Sequence, residues 1–559
     1  MNNLFPLLLA ALLLAACSSP SGDGSNEEAN ATAPKASSGA GSGSPSPATL
    51  PTHAALLPDD AWFVATFRPG QVMEKLDYES LVQSALDSEF DKDVALAMNI
   101  LNLDEPEKTG VDLDEPIYFF MKGNPDNRLT LQAGVSFALS EVKDFDDLVD
   151  TAINFAKREG EDLTLKQDED LRIVTFENSK LPVHLLYDED KAFLAVGYHN
   201  PKRKFLEPEG LDDHSPVVQA HLERSFDLGA VMDFSNFTSA MRSSDDRDME
   251  TIAAIYSSFD GGGVAYELSA EDGELLLKTF SSIGTTSLAE DVAADSVDSD
   301  LLEVIPDDSI AAATLSMNLN AAVDAFLPTF TEIAALGNNG ELPADFPRDL
   351  EDKLPNVGFS LDDLTTAIPG EFSAALIELN GNDAPEFVVA IKTADLDSAA
   401  YKKVISNNPM IGMLKENLQE EGIRFEEKDN LILLASASQS SILRNAAATD
   451  PVSGDKEDVL GDGYAGLWLD FDELLKNLPA PRGDDDKLLM KALRKLDLLS
   501  MEAEVDDEVF ISSFKITFKD DDANALRQIA ESIEEIILHY INQRKRWEEE
   551  YLERDFEDN

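Results

Sequence analysis

The residues best suited to a defined chemistry lie close to the start of the chain. Leu14-Ala15-Ala16-Cys17 closes an apolar run from Leu4 to Ala16 and contains the only cysteine of the protein. Small residues before a thiol, behind a hydrophobic segment, are what a lipoprotein signal peptidase requires. The segment enters the membrane, and the enzyme must reach the backbone beside a sulfur that already carries lipid. Cys17 is thus the candidate lipid-attachment residue, with Leu14, Ala15 and Ala16 as the cleavage motif. Acylation leaves the mature chain no free thiol and no disulfide, so packing alone must stabilise it.

Other chemistry finds little support in residue spacing. Six histidines occur, with His184, His199, His214 and His221 in one region. None forms the HExxH or i,i+4 pair that places two ligands on one helical face, and cysteine ligands are absent. Asp520-Asp521-Asp522-Ala523-Asn524 alternates oxygen ligands but lacks the central glycine of a calcium loop, so it reads as a helix start. No G-x-S-x-G elbow occurs, because Gly39-Ala40-Gly41-Ser42-Gly43 has glycine at the serine position. Gly261-Gly262-Gly263 lacks the lysine and following helix of a phosphate loop. No catalytic residue, metal site or cofactor is expected.

The charge balance narrows the partners. Lys and Arg number 44 against 109 Asp and Glu, a formal net charge of -65. Such a field excludes nucleic acid and favours cations or basic partners. With 43% hydrophobic residues the chain has material for a globular interior. The run from Leu4 to Ala16 is too short for a bilayer of ~30 Å and fits a cleavable signal over residues 1–16, although Met1-Asn2-Asn3 brings no basic side chain. Residues 17–50 carry the lipidated cysteine and a Ser/Gly/Pro/Ala tether. As a random coil it spans roughly 30–35 Å, beyond a Debye length of about 8 Å, so the folded part can stand clear of the membrane.

Internal repetition organises the rest. Leu57-Pro58-Asp59-Asp60-Ala61 and Ile305-Pro306-Asp307-Asp308-Ser309 open two segments, and the same spacing separates Gly110-Val111-Asp112-Leu113-Asp114 from Gly358-Phe359-Ser360-Leu361-Asp362. Gly229 to Phe234 and Gly466 to Phe471 keep step further on. These landmarks predict two tandem homologous modules, 51–288 and 300–519, joined by a linker over 289–299. Within each, short alternating segments bounded by turn residues predict strands, for example Trp62 to Phe67 with Ile310 to Leu315, and Leu131 to Leu139 with Glu386 to Lys392. Helices are expected over Tyr78 to Leu86, Val94 to Leu101 and Ala321 to Leu336, and from the acidic start Asp144-Phe145-Asp146-Asp147. Strands outnumber helical crossovers, which makes the class α+β with mainly antiparallel sheets. The Pro-Asp-Asp turns read as strand entries and Trp62, Trp468 and Trp547 as core or rim aromatics. Leu526, Ile529, Ile533, Ile536 and Tyr540 place an apolar stripe on a C-terminal charged helix within 520–559.

With the anchor and these landmarks together, the chain resembles an uncharacterised bacterial lipoprotein family with duplicated domain-of-unknown-function modules. Its marks are an opening P-x-D strand (Pro58 to Phe67, Pro306 to Leu315) and a mid-module G-[ILVF]-[DS]-L step (Gly110 to Leu113, Gly358 to Leu361). The resemblance implies a lipid-anchored cell-envelope protein without assigned catalytic residues. Ser18, rather than Asp, after the cysteine implies an outer-membrane anchor. The leading expectation is a non-enzymatic protein binding an envelope protein or cationic partner. The alternatives are a hydrolase of envelope polymers using carboxylates, and a carrier of lipid or another apolar ligand with a cavity between sheet and helices. Mass spectrometry of the amino-terminal peptide tests the anchor. The native chain should begin at acylated Cys17, whereas Cys17→Ala should lose both the acyl mass and the cleavage.

Overall fold

The computed structural model describes residues 51–544 apart from 79–104, 125–129, 159–162, 177–181, 199–205, 207–213, 243–248, 250–251, 254–255, 258–260, 283–287, 295, 326, 328–358, 380–383, 507, 537–538 and 541–542. Leu14 to Cys17, the tether, Val94 to Leu101, Trp547 and, of the helix expected from Tyr78, all but Tyr78 lie outside the described residues; of the helix expected from Ala321, residues 321–325 and 327 are described and helical, and the rest lies outside. The fold is α+β with antiparallel sheet. By its contacts the chain divides into two compact units, Met1–Met232 and Asp233–Asn559.

The first unit contains β1 (Phe63–Phe67), β2 (Ile117–Lys122), β3 (Gln132–Ala138), β4 (Leu163–Asp168), β5 (Leu171–Phe176), β6 (Val183–Tyr187), β7 (Lys191–Val196) and β8 (Leu228–Asp233). They pair antiparallel in the order β8-β1-β2-β3-β7-β6-β5-β4. Helix α1 (Pro69–Leu76) follows β1, and α2 (Val142–Arg158) connects β3 to β4. The first turn of α2 carries Asp144 and its last turn Lys157 and Arg158, each complementing the helix dipole. Phe145, Leu148, Val149, Ile153 and Ala156 fall on one face of α2 and pack against Val135, Phe137, Val174, Leu185 and Leu194. Gly110 turns the chain into this packing with φ +73°. A Cβ there would lie 2.4 Å from the Phe145 nitrogen, so only glycine fits.

The second unit contains β9 (Gly263–Glu271), β10 (Glu274–Ser282), β11 (Ala311–Ser316), β12 (Glu371–Glu378), β13 (Glu386–Lys392), β14 (Ile423–Lys428), β15 (Leu431–Ser436), β16 (Ala465–Asp470), β17 (Leu496–Asp506) and β18 (Val509–Phe518). Their order is β9-β10-β18-β17-β16-β11-β12-β13-β15-β14, again antiparallel throughout. The segment β16-β11-β12-β13-β15-β14 repeats the connectivity of β8-β1-β2-β3-β7-β6 in the first unit. The β4–β5 hairpin has no counterpart there. Strand β4 escaped sequence reading because its apolar alternation is confined to Leu163 and Leu165, and Leu165 to Asp168 face solvent.

The division by contacts differs from the one suggested by the repeat. Strands β9 and β10 follow the first set of landmarks, yet β10 runs in register with β18 from Glu274↔Thr517 to Ser282↔Val509. The segment expected as a linker is also packed. Ala289 and Val297 are buried, Ala293 bridges to Met317, and Ser296 bridges to Asp462. Four helices of this unit matter below: α3 (Leu361–Ala367), α4 (Pro409–Glu420), α5 (Asp455–Gly461) and α6 (Asp484–Leu493). A further helix, α7, begins at 525. Leu526 and Ile529 of α7 pack with Ala270, Leu275, Ile516 and Phe518, and Glu535 pairs with Lys491 of α6 at 2.8 Å.

His53 gives the first unit a pH dependence. Its ring is buried against Tyr118, and Nε2–H donates to the Pro116 carbonyl at 2.6 Å. Burial lowers its pKa from 6.5, outweighing that hydrogen bond. The unfolded chain therefore binds more protons than the folded one below about pH 6.5. Stability should fall as pH drops through this range, by up to ~1.4 kcal/mol per unit until the folded pKa is reached. Unfolding midpoints measured from pH 7.5 to 5 should show that slope, and His53→Asn should flatten it.

Candidate functional site

The repeated Pro-Asp-Asp turns prove to be anchored by lysines in two different ways. In the second unit Lys456 of α5 is buried, and its Nζ donates to the Asp307 carbonyl (2.8 Å), the Ser309 carbonyl (3.0 Å) and Ser309 Oγ (2.9 Å). Burial pulls the Lys456 ammonium below its ordinary value, while Asp307, Asp470, Asp308 and Glu473 act in the opposite direction. In the first unit Lys122 reaches Asp60 at 2.9 Å on the surface, and Trp62 Nε1–H donates to the Gly123 carbonyl at 2.9 Å. Both turns hold strand entries.

The histidine-rich region forms no common site among the described residues. His184 contacts Thr175 Oγ1 (3.1 Å) and the Tyr198 carbonyl (2.9 Å). His221 meets Thr66 Oγ1 (3.1 Å) and stacks on Phe226. His214 is buried and His199 lies outside the described residues. No group of three His, Cys, Asp or Glu side chains converges to hold a metal among the described residues. Nor is any described helix long and apolar enough to cross a membrane.

Among the described residues of the second unit, two cavities bear on function. One, of about 650 Å³, is polar and includes Asp462, Glu502, Glu504 and Ser513 in its wall. The other, of about 360 Å³, is lined by Leu315 of β11, Met317, Leu319, Ile368 at the end of α3, Gly370, Glu371 and Phe372 of β12, and Val389 and Ile391 of β13. Sheet register explains the second one. Leu315 pairs with Phe372 and Phe372 with Ile391, so these side chains project from the same face of three neighbouring strands. Alternation sends Ala312, Ala375, Val388 and Ala390 to the opposite face, into the main core. Gly370 shapes the end of the cavity. Its φ is +117°, and a Cβ would come within 2.5 Å of the Met317 carbonyl oxygen.

Glu371 supplies backbone to this wall, while alternation places its carboxyl on the core face. There Ser316 hydrogen-bonds to it and Lys392 Nζ lies 3.7 Å away, in contact also with Asp298. Burial raises the Glu371 pKa, with the Ser316 hydrogen bond opposing. The side chains facing the cavity are therefore apolar, without a proton donor or acceptor. Such a surface can recognise a ligand only by removing apolar area from water, worth about 25 cal/mol per Å².

The apolar face extends well beyond the cavity. Val389, Ala374, Ala313, Leu467, Met501, Phe514, Leu277 and Leu268 occupy successive paired positions across β13-β12-β11-β16-β17-β18-β10-β9. Every member of this row is partly exposed. Sequence reading identified the strands but not the cavity. Its signal was present in Glu386-Phe-Val-Val-Ala-Ile-Lys392, where consecutive apolar residues serve both faces of one strand.

No family model and no curated protein matches this chain. Among solved structures it is similar to crystal form I of TP0453, over 43% of this chain and 81% of that one, with 11% identity and a TM-score of 0.25. Crystal form III of TP0453 matches 42% of this chain and 80% of that one, with 12% identity and a TM-score of 0.23. Likenesses at these scores carry no functional argument.

The two lysines should separate in stability. Lys456→Met leaves buried oxygens without their donor and should destabilise the chain by about 2 kcal/mol. Lys122→Met removes a surface pair and should change stability by less than about 1 kcal/mol. Denaturant unfolding of both variants measures the difference.

Proposed function

We propose that the chain is a lipid-anchored envelope protein, built by tandem duplication, that binds an acyl-chain molecule in the second unit without reacting on it. The observation carrying this reading is the 360 Å³ cavity walled by Leu315, Phe372, Val389 and Ile391. Its size lies within the range of small-molecule sites, and its side chains offer no polar group to orient a polar ligand. The shared strand connectivity of the two units supports the duplication. The lipid-attachment motif at Cys17 supports the anchor, with Ser18 favouring the outer membrane. Acyl chains contribute about 0.8 kcal/mol per buried CH₂, which suits both the anchor and the ligand.

A hydrolase reading would place carboxylates in the cleft at a defined separation. The Glu371 carboxyl instead lies on the core face beside Lys392, which favours binding over hydrolysis at this cavity. Native mass spectrometry of the full chain, released from its membrane, tests the reading with palmitate as added probe. Palmitate should be retained by the native chain, and Val389→Trp, which fills the cavity, should reduce retention at least tenfold. Equal retention by a folded Val389→Trp chain would refute this site.

A further inference from the structure

The apolar cavity discriminates by the head of its ligand as well as by the chain. Strands β11, β12 and β13, which wall it, carry Glu371, Glu378 and Glu386 against a single base, Lys392. Lys392 is already paired with Asp298 and lies 3.7 Å from Glu371. Helix α3, which ends beside the cavity, adds Asp362 and Asp363, the latter offset by Lys403. The whole chain has a formal net charge of -65. A fatty-acid carboxylate or a phospholipid phosphate brought here meets like charge, and the one lysine of the walls is engaged. An acyl chain whose head is uncharged or cationic escapes that repulsion.

A lipid attached to Cys17 is such a molecule. An amide- and thioether-linked acyl head carries no charge, or a single positive one where the α-amino group is free. It is also held close by. Residues 17–50 can extend to roughly 115 Å at most, whereas a folded unit of about 300 residues has a radius of gyration of about 19 Å. The tether therefore has the length to bring its lipid to the second unit. A ligand tethered in this way acts at an effective concentration on the order of a millimolar, which a sparingly soluble free lipid does not match.

We propose that an acyl chain of the lipid on Cys17 occupies the cavity walled by Leu315, Phe372, Val389 and Ile391 whenever the anchor is out of the membrane. The inference rests on the lipid-anchored, acyl-binding reading and adds a regulation of that same site. Burial per methylene is about equally favourable in an apolar cavity and in a bilayer. The cavity, at about 360 Å³, lies at the lower end of small-molecule sites and takes one chain, whereas a bilayer takes all of them. The anchor therefore enters a membrane within reach and empties the cavity. Off the membrane it refills the cavity and shields one chain from water. By linkage, an acyl ligand in the cavity favours the inserted anchor as much as the inserted anchor favours that ligand.

Cross-linking and competition test this in the full chain. The chain is acylated in cells with palmitate bearing a terminal diazirine, kept dilute in detergent below its micelle threshold, and irradiated. The cross-link should fall within the same molecule, on residues 368–372 or 386–392. Competition uses the unlabelled acylated chain and a Cys17→Ser chain exported with an ordinary cleavable signal in place of residues 1–16. Palmitate should half-saturate the acylated chain at a concentration at least fivefold higher than the Cys17→Ser chain. Val389→Trp, with unchanged melting, should lose the cross-link. Equal half-saturation, with cross-links scattered outside those strands, would overturn the proposal and leave the acyl-binding reading intact. A Cys17→Ser chain that binds no palmitate would overturn that reading, and an unmodified Cys17 in the intact mass would overturn the anchor. The proposal falls with either.

Discussion

The second unit depends on the ladder between Glu274–Ser282 and Val509–Phe518. This antiparallel register joins strands from the end of the first run of landmarks to the last strand of the second. Both strands are long; β10 carries Leu275, Leu276 and Leu277 in succession, whereas Phe514, Ile516 and Phe518 alternate along β18. Without the ladder, both hairpins would present unpaired edges, which invite association with other chains. With it, the paired backbone groups are satisfied and the apolar row from Val389 to Leu268 becomes continuous. The packing of α7 against Leu275, Ile516 and Phe518 follows from the same register, since those residues meet only when β10 and β18 are neighbours.

Two-sided burial then creates the site. A strand facing a core on one side and solvent on the other alternates apolar and polar residues, but β12 and β13 are apolar on both sides. One side supplies the core with Ala375, Val388 and Ala390. The other offers Phe372, Val389 and Ile391, with Ile391 packed in a cluster with Ala367, Tyr401 and Val404. The cavity lies beside Gly370, which lets the chain pass close to Met317. Charge is kept away from it by the same alternation, since Glu371 and Lys392 project to the opposite face. The acidic character of the chain therefore coexists with an apolar site a few residues away.

Much of the strand layout was legible in the residues. Leu171–Phe176, Val183–Tyr187, Glu386–Lys392 and Leu431–Ser436 coincide with the segments expected from alternation and turn residues. Pairing partners were less accessible, and β4 was missed because its solvent-facing residues follow no apolar period. The G-x-x-L-D landmarks also diverge locally. Ser360 caps α3 through a reciprocal bond with Asp363, while Gly110 to Asp114 form a turn in which Asp112 Oδ1 accepts from the Asp114 nitrogen. Short motifs thus recorded position in the chain better than local conformation.

Residue types and spacing by themselves determined the α+β class, the excess of acidic residues and the two sets of landmarks, and they are the whole basis for proposing lipid attachment at Cys17. These are local properties: a small residue before a thiol, an alternation, a turn, a charge count. Tertiary structure alone decided that β10 pairs with β18, that Lys456 serves Asp307 and Ser309, and that Leu315, Phe372, Val389 and Ile391 enclose one cavity. It also left Met410, Met413 and Leu414 uncovered. Each of these outcomes joins residues distant in sequence or depends on what packs over a surface. Sequence periodicity reports which face is apolar, but only the arrangement of neighbouring elements settles which apolar face is buried and which stays exposed.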